Sequence, residues 1–168
     1  MDILKLALDW AKDEIFSAII FILFGILFII ATLGFWQLGK TEIAKAFIYP
    51  TLIAGTLFLL AGISFYFSNT SKLSNFESQY KSNPSAFIKK EIERTEKTMS
   101  EYKNVAFKIF PVLIALTAIL MIFINKPIWR TSSITIILFL VILILIDLNA
   151  NSRIESYHEA LKLANNNI

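Results

Sequence analysis

The sequence predicts an all-α membrane protein, with four transmembrane helices and a small helical cytoplasmic cap. Three observations lead there. Of the 168 residues, 56% are hydrophobic and only 17% charged, against about 25% charged in an ordinary soluble domain. The apolar excess is gathered into four long runs, as in membrane spans and unlike a single core. Charged residues collect at both ends and between the second and third runs. A buried core helix would explain any one run, but four in so short a chain leave too little polar surface to cover them.

The first run, Ile15 to Gly39, lies between Glu14 and Lys40. As a helix it reaches about 37 Å, more than a hydrocarbon core of about 30 Å. The second runs from Ala46 to Ser71, its apolar part ending near Phe67. The third, Ile109 to Asn125, gains length from Val105, Ala106 and Phe107. The fourth, Thr131 to Ile146, is extended by Pro127, Ile128 and Trp129 once Arg130 snorkels. The predicted divisions are an amphipathic N-terminal helix 1–14, a transmembrane hairpin 15–68, a cytoplasmic helical segment 69–104, a second hairpin 105–149, and a C-terminal helix and tail 150–168.

In residues 1–14 one stripe holds Ile3, Ala7 and Trp10 and the next Leu4, Leu8 and Ala11. That amphipathic pattern suits a helix lying on the membrane or continuing into the first span. Asp2, Asp9, Asp13 and Glu14 argue against a cleaved signal, and no lipidation motif is present. The turn from Leu38 to Glu42 is short, with Thr41 as expected N-cap of the second helix. After Phe67 the polar run Ser68-Asn69-Thr70-Ser71 predicts a break. The next helix should start at Asn83-Pro84, Asn83 capping and Pro84 in the first helical position. From there to Asn125-Lys126-Pro127 one helix of about 60 Å is expected, kinked at Pro111.

The part of that helix before the membrane carries a seam at Ile88, Ile92, Thr95, Met99, Tyr102 and Ala106. It is too short for a coiled-coil claim. It should pack on Leu73, Phe76 and Tyr80 or on the terminal helices, with a partner chain as the alternative. The charged residues around it include a favourable Glu93–Lys97 spacing.

Twelve of the 16 Lys and Arg residues lie in the arm, the middle segment and the tail, and four in the two remaining loops. The positive-inside rule then predicts a multi-pass protein with both termini cytoplasmic. Trp36 and Trp129 fall at the opposite edge, where aromatic belts form. The middle segment is net basic and both ends are net acidic, so acidic terminal helices are expected to dock on a basic middle helix. Each exposed pair would add only about 0–1 kcal/mol, leaving most of the docking to the apolar seam.

Few residues suggest chemistry. Asp147 lies about 28 Å along the helix from Ile128, which makes it an inner-interface carboxylate; ion coordination or proton relay is the sharper alternative. Asn151 shares its helical face and could complete a polar cluster. Gly55 and Gly62, seven residues apart in the second span, read as a helix-packing stripe, with pore lining as the alternative. His158 has no second ligand at helical spacing and reads as a surface histidine. An echo between Ala46–Ala54 and Ala106–Ala115 falls in spans two and three, not at equivalent places of two hairpins, and reads as compositional. There is no cysteine and no HExxH, P-loop or GxSxG motif. No catalytic residue, metal or cofactor is expected. The positive charges flank spans, so nucleic acid is not an expected partner either.

Trp10, the stretch Phe35-Trp36-Gln37-Leu38-Gly39-Lys40 and the stretch Lys126-Pro127-Ile128-Trp129-Arg130 resemble a family of small four-span bacterial inner-membrane proteins of uncharacterised function. The resemblance covers nearly the whole chain and implies the topology and the inner membrane, but no activity. The expected partners are the lipid bilayer and a second copy or a membrane protein. The expected role is that of a non-enzymatic scaffold or interaction protein. A homo-oligomeric ion channel or membrane-perturbing effector, and a small transporter, are the alternatives.

Overall fold

The computed structural model describes residues 2–166; Met1, Asn167 and Ile168, the extremities of the predicted arm and tail, lie outside the described residues. Four helices are long and apolar enough to cross a membrane. The first is α1 (Ile3–Leu38). The second comprises α2 (Glu42–Ala46) and α3 (Ile48–Ser82), joined at Phe47. The third runs through α4 (Pro84–Glu101), a π-helical segment (Tyr102–Ile109) and α5 (Phe110–Phe123), and the fourth is α6 (Pro127–Asn165). Among the described residues there is no strand.

Side chains cap the helix starts. Asp2 accepts from the Lys5 N–H at 3.1 Å, Thr41 from Ala44 at 3.1 Å, and Asn83 from Ala86 at 3.0 Å. Pro84 follows Asn83, where a helix needs no donor. Of the two arrangements expected for the arm, the structure has the continuous one, and the polar run after Phe67 does not end its helix. Residues 3–14 continue into the first span, α3 runs through Ser68–Ser71, and α6 carries the tail as far as Asn165. The polar run stays helical because hydroxyls fold back on the ladder rather than replace it: Thr70 donates to the Tyr66 carbonyl at 2.8 Å and Ser74 to that of Ser71 at 3.0 Å.

Pro111 is accommodated by the π segment. The Phe110 N–H donates five residues back, to Val105. The wider turn relieves the clash a proline ring makes with the carbonyl four residues earlier. The proline thus opens a new α-helix instead of breaking an old one.

α1 and α3 form the main pair. Each buries one stripe along its length, from Ile3 through Phe21 to Thr32 on α1 and from Thr51 through Phe58 to Phe76 on α3. Glycines set their approach. A Cβ on Gly62 would lie 2.8 Å from the Ile22 nitrogen and 2.9 Å from the Ala18 carbonyl oxygen, and one on Gly25 would lie 2.9 Å from the Leu59 nitrogen. Thr32 and Thr51 close the pair with a buried hydroxyl contact of 2.8 Å. α6 packs on both helices, and α5 packs on α6 but touches neither α1 nor α3. α5 buries no residue.

Two cores result. In the apolar half Phe58 is fully buried, with the rings of Phe139, Phe28 and Phe21 at 4.5, 5.7 and 5.8 Å. In the polar half Trp10 stacks on Tyr157 at 5.7 Å and Phe76 at 6.4 Å. Ile88, Ile154 and Leu161 pack in the same core, and Ile92, Met99 and Tyr102 lie on its edge. The seam therefore faces the chain's own helices.

Candidate functional site

Where the apolar runs give out, α1, α3, the end of α4 and α6 converge on a cavity of about 330 Å³. Its apolar wall includes Ala18, Phe21, Phe65 and Ile146, and its polar wall Glu14, Asn69, Lys72, Arg94 and Asp147. Trp10 and Tyr102 line it as well. The site is amphipathic by construction, because each helix changes from apolar to charged at this level.

Most of its charges are already engaged. Arg94 forks onto Glu91 at 2.7 and 2.9 Å, and the Tyr157 hydroxyl donates to the same carboxylate at 3.2 Å. Such two-pronged pairing is the strong form of the interaction, and Glu91 is only 3% exposed. The Arg94 guanidinium also lies 4.1 Å from the Trp10 ring. Glu14 receives Arg153 at 2.9 Å, and Arg153 reaches Ser17 at 2.7 Å and Asn149 at 2.6 Å.

Other groups are left over. Lys72 donates to Asn69 at 2.8 Å and sits 5.0 Å from the Trp10 ring, with no carboxylate in ion-pair range. Burial, and then the charge of Arg94, push Lys72 below its ordinary value. The Asp147 side chain makes neither a hydrogen bond nor an ion pair with the described residues. The Trp10 indole N–H is buried without a partner. Burial raises the Tyr102 phenol, and the carboxylates of Glu14 and Asp147 raise it further. That coupling puts both acids near its ring.

The predicted site residues separate accordingly. Asp147 lines the cavity, but Asn151 does not join it; its amide donates instead to Glu155 at 3.0 Å, one turn along α6. No hydrogen bond joins Asp147 and Asn151 among the described residues, since the Asn151 amide is engaged by Glu155 on the same face. Gly55 and Gly62 meet Ile29 and Ile22 of α1 and line no path. Ile88 is buried, and Ile92, Met99 and Tyr102 are partly buried in the polar core.

His158, read as a surface residue, is 6% exposed. Its Nδ1 lies 2.6 Å from the Thr95 hydroxyl and its Nε2 3.7 Å from Glu96. Burial, and then Lys162, hold it below the ordinary imidazole value. The charge expectation is corrected as well: the tail's contact pair is Lys162 on Glu96 at 3.3 Å, a base of the tail on an acid of the middle helix. Net charge misses this because pairing is decided residue by residue. Lys97 lies 4.0 Å from Glu101, not on Glu93.

Among the described residues no three of His, Asp and Glu converge as metal ligands. The fold and site define a multi-pass α-helical membrane protein with an amphipathic cavity at the level where its apolar spans end. No family model, curated protein or solved structure matches the chain.

Proposed function

We propose that this chain is a non-enzymatic binding or scaffold protein of the bacterial inner membrane, with both termini in the cytoplasm, that works by holding a ligand or partner group in the cavity at the cytoplasmic ends of its spans. One observation carries the reading. Four helices converge on a cavity with unused polar groups, while the bundle beneath it is closed by Phe58 and the rings around it. A site open on one side and sealed on the other suits binding better than conduction. The glycine face that a channel would use is filled by α1. The Lys and Arg distribution supports the orientation.

The chain has no cysteine, so Thr98→Cys places a single thiol on the cavity wall. A membrane-impermeant maleimide should label it in inverted inner-membrane vesicles and not in intact spheroplasts. Labelling from the periplasmic side would reject the orientation. Stable unitary currents from the purified chain in a planar bilayer would reject the binding reading in favour of a channel.

A further inference from the structure

Resting on that reading, the chemistry of the cavity narrows its occupant. Three features bear on it. The first is charge. Once Glu14 is paired with Arg153 and Arg94 with Glu91, the half-buried groups of the cavity that lack an ion-pair partner among the described residues are Lys72 on α3 and Asp147 on α6. A cation and an anion on different walls are both satisfied by one molecule carrying both signs.

The second is hydrogen bonding. The Trp10 N–H is a buried donor without an acceptor. Lys72 and Arg94 share the cavity wall with the Trp10 ring, which makes that side receptive to an anion with several oxygens. Asp147 and Tyr102 line the same cavity, and an unpaired carboxylate there is receptive to a donor-bearing cation. A quaternary ammonium has no N–H to give the Asp147 carboxylate, whereas a primary ammonium has three.

The third is shape. Phe21, Phe65 and Ile146 form the wall toward the apolar half. There α5 makes no close backbone approach to α1 or α3, and Phe65 is 47% exposed, which gives hydrocarbon a way sideways into the bilayer.

We infer that the cavity is a lipid site, taking the headgroup of a zwitterionic phospholipid with a primary ammonium: its phosphate toward Lys72 and Arg94, its ammonium toward Asp147, and its chains along Phe21 and Phe65 into the bilayer. Its volume of about 330 Å³ admits a headgroup and the start of the chains, not a whole lipid.

The test is native mass spectrometry of the full chain in mild detergent, with equal amounts of phosphatidylethanolamine, phosphatidylcholine and phosphatidylglycerol. One phosphatidylethanolamine should be retained over the other two by about tenfold, the scale of one charge-assisted contact. Asp147→Asn and Lys72→Met should each remove that preference, and Lys89→Met on the exposed face should not. Asp147 has no partner to lose, so its variant should keep the parent's helical circular dichroism and supports the test if Lys72→Met misfolds. Equal retention of all three lipids, lowered alike by both variants, overturns the headgroup assignment and leaves the cavity reading standing. Retention unaffected by either variant, or no retention, overturns the inference; if Thr98→Cys is also unlabelled from the cytoplasmic side, the binding reading falls too. Displacement of the lipid by free phosphorylethanolamine would make the ligand a soluble one and overturn the lipid assignment.

Discussion

α4 and α5 are consecutive lengths of one long helix, and they live by different rules. α4 is mostly polar, yet it buries Phe87, Ile88, Glu91 and Thr95, packing on α3 and α6. α5 is almost wholly apolar and buries nothing. The contrast is that of two solvents. In water, an amphipathic helix gains by hiding its apolar stripe. Within lipid, an apolar side chain gains little by leaving hydrocarbon for protein, and close association needs small residues or hydrogen bonds. α5 has no glycine, and no side-chain hydrogen bond ties it to another described helix. The α1–α3 pair has both, in Gly25, Gly62 and the Thr32–Thr51 contact.

Removing the buried acid of α4 should sharpen this comparison most. Glu91→Leu strands Arg94 and the Tyr157 hydroxyl, and breaking a buried pair from one side costs about 3–5 kcal/mol. Thermal unfolding in detergent should show it as a large fall in midpoint. A loss as small as that of an exposed pair would mean that water reaches the polar core. Next comes Gly62→Ala, whose new methyl meets backbone atoms that cannot swing away; overpacking of this kind costs about 1–3 kcal/mol. Gly34→Ala, with nothing within 4 Å, should leave the midpoint unchanged, and equal behaviour of the two would break the close-packing account.

The third effect is pH-dependent. His158 is held below its ordinary value of 6.5, so the unfolded chain binds its proton more readily than the folded one. That contribution is fully present above the unfolded value and is lost as pH falls through it toward the folded one. Thermal midpoints should drop on acidification from about pH 7 to about pH 5, and part of that drop should vanish in His158→Gln. A variant with the parent's full slope would assign the change to carboxylates instead. The smallest effect is expected in α5. Leu116 is 52% exposed, and Leu116→Ala should change stability by less than about 0.5 kcal/mol, since lipid chains replace what is removed. A cost of core size would show that α5 is covered by another protein surface.

Much of this was readable from residues alone. The four spans follow from composition, and the starts at Thr41 and Asn83 follow from capping chemistry. The Gly55–Gly62 stripe announced close helix contact without naming α1 as the partner. Glu91 was missed for an instructive reason. It lies three residues after Ile88 and four before Thr95, on the buried stripe itself, but a carboxylate in a charged helix is ordinarily assigned to solvent. The fork from Arg94, one turn along, and the approach of Tyr157, from far along the chain, together make its burial tolerable. The burial of His158 depends on Thr95 in the same way. The continuity through Ser68–Ser71 escaped because hydroxyls that bond backward satisfy a helix as readily as they end one.

The Trp10 core also sets a timetable. Its first contributors, Ile3 to Ala11, leave the ribosome well over a hundred residues before its last, Ile154 to Leu161. Until then Trp10 and Phe76 lack Tyr157 and Leu161 as cover, so every growing copy passes through a stage with a sticky, half-built surface. Closure waits on the most distant contacts in the chain, the slow kind. A copy cut short before Ile154 would therefore keep the spans of a finished protein and the exposed apolar patch of an unfinished one, which is the mark by which quality control can tell them apart.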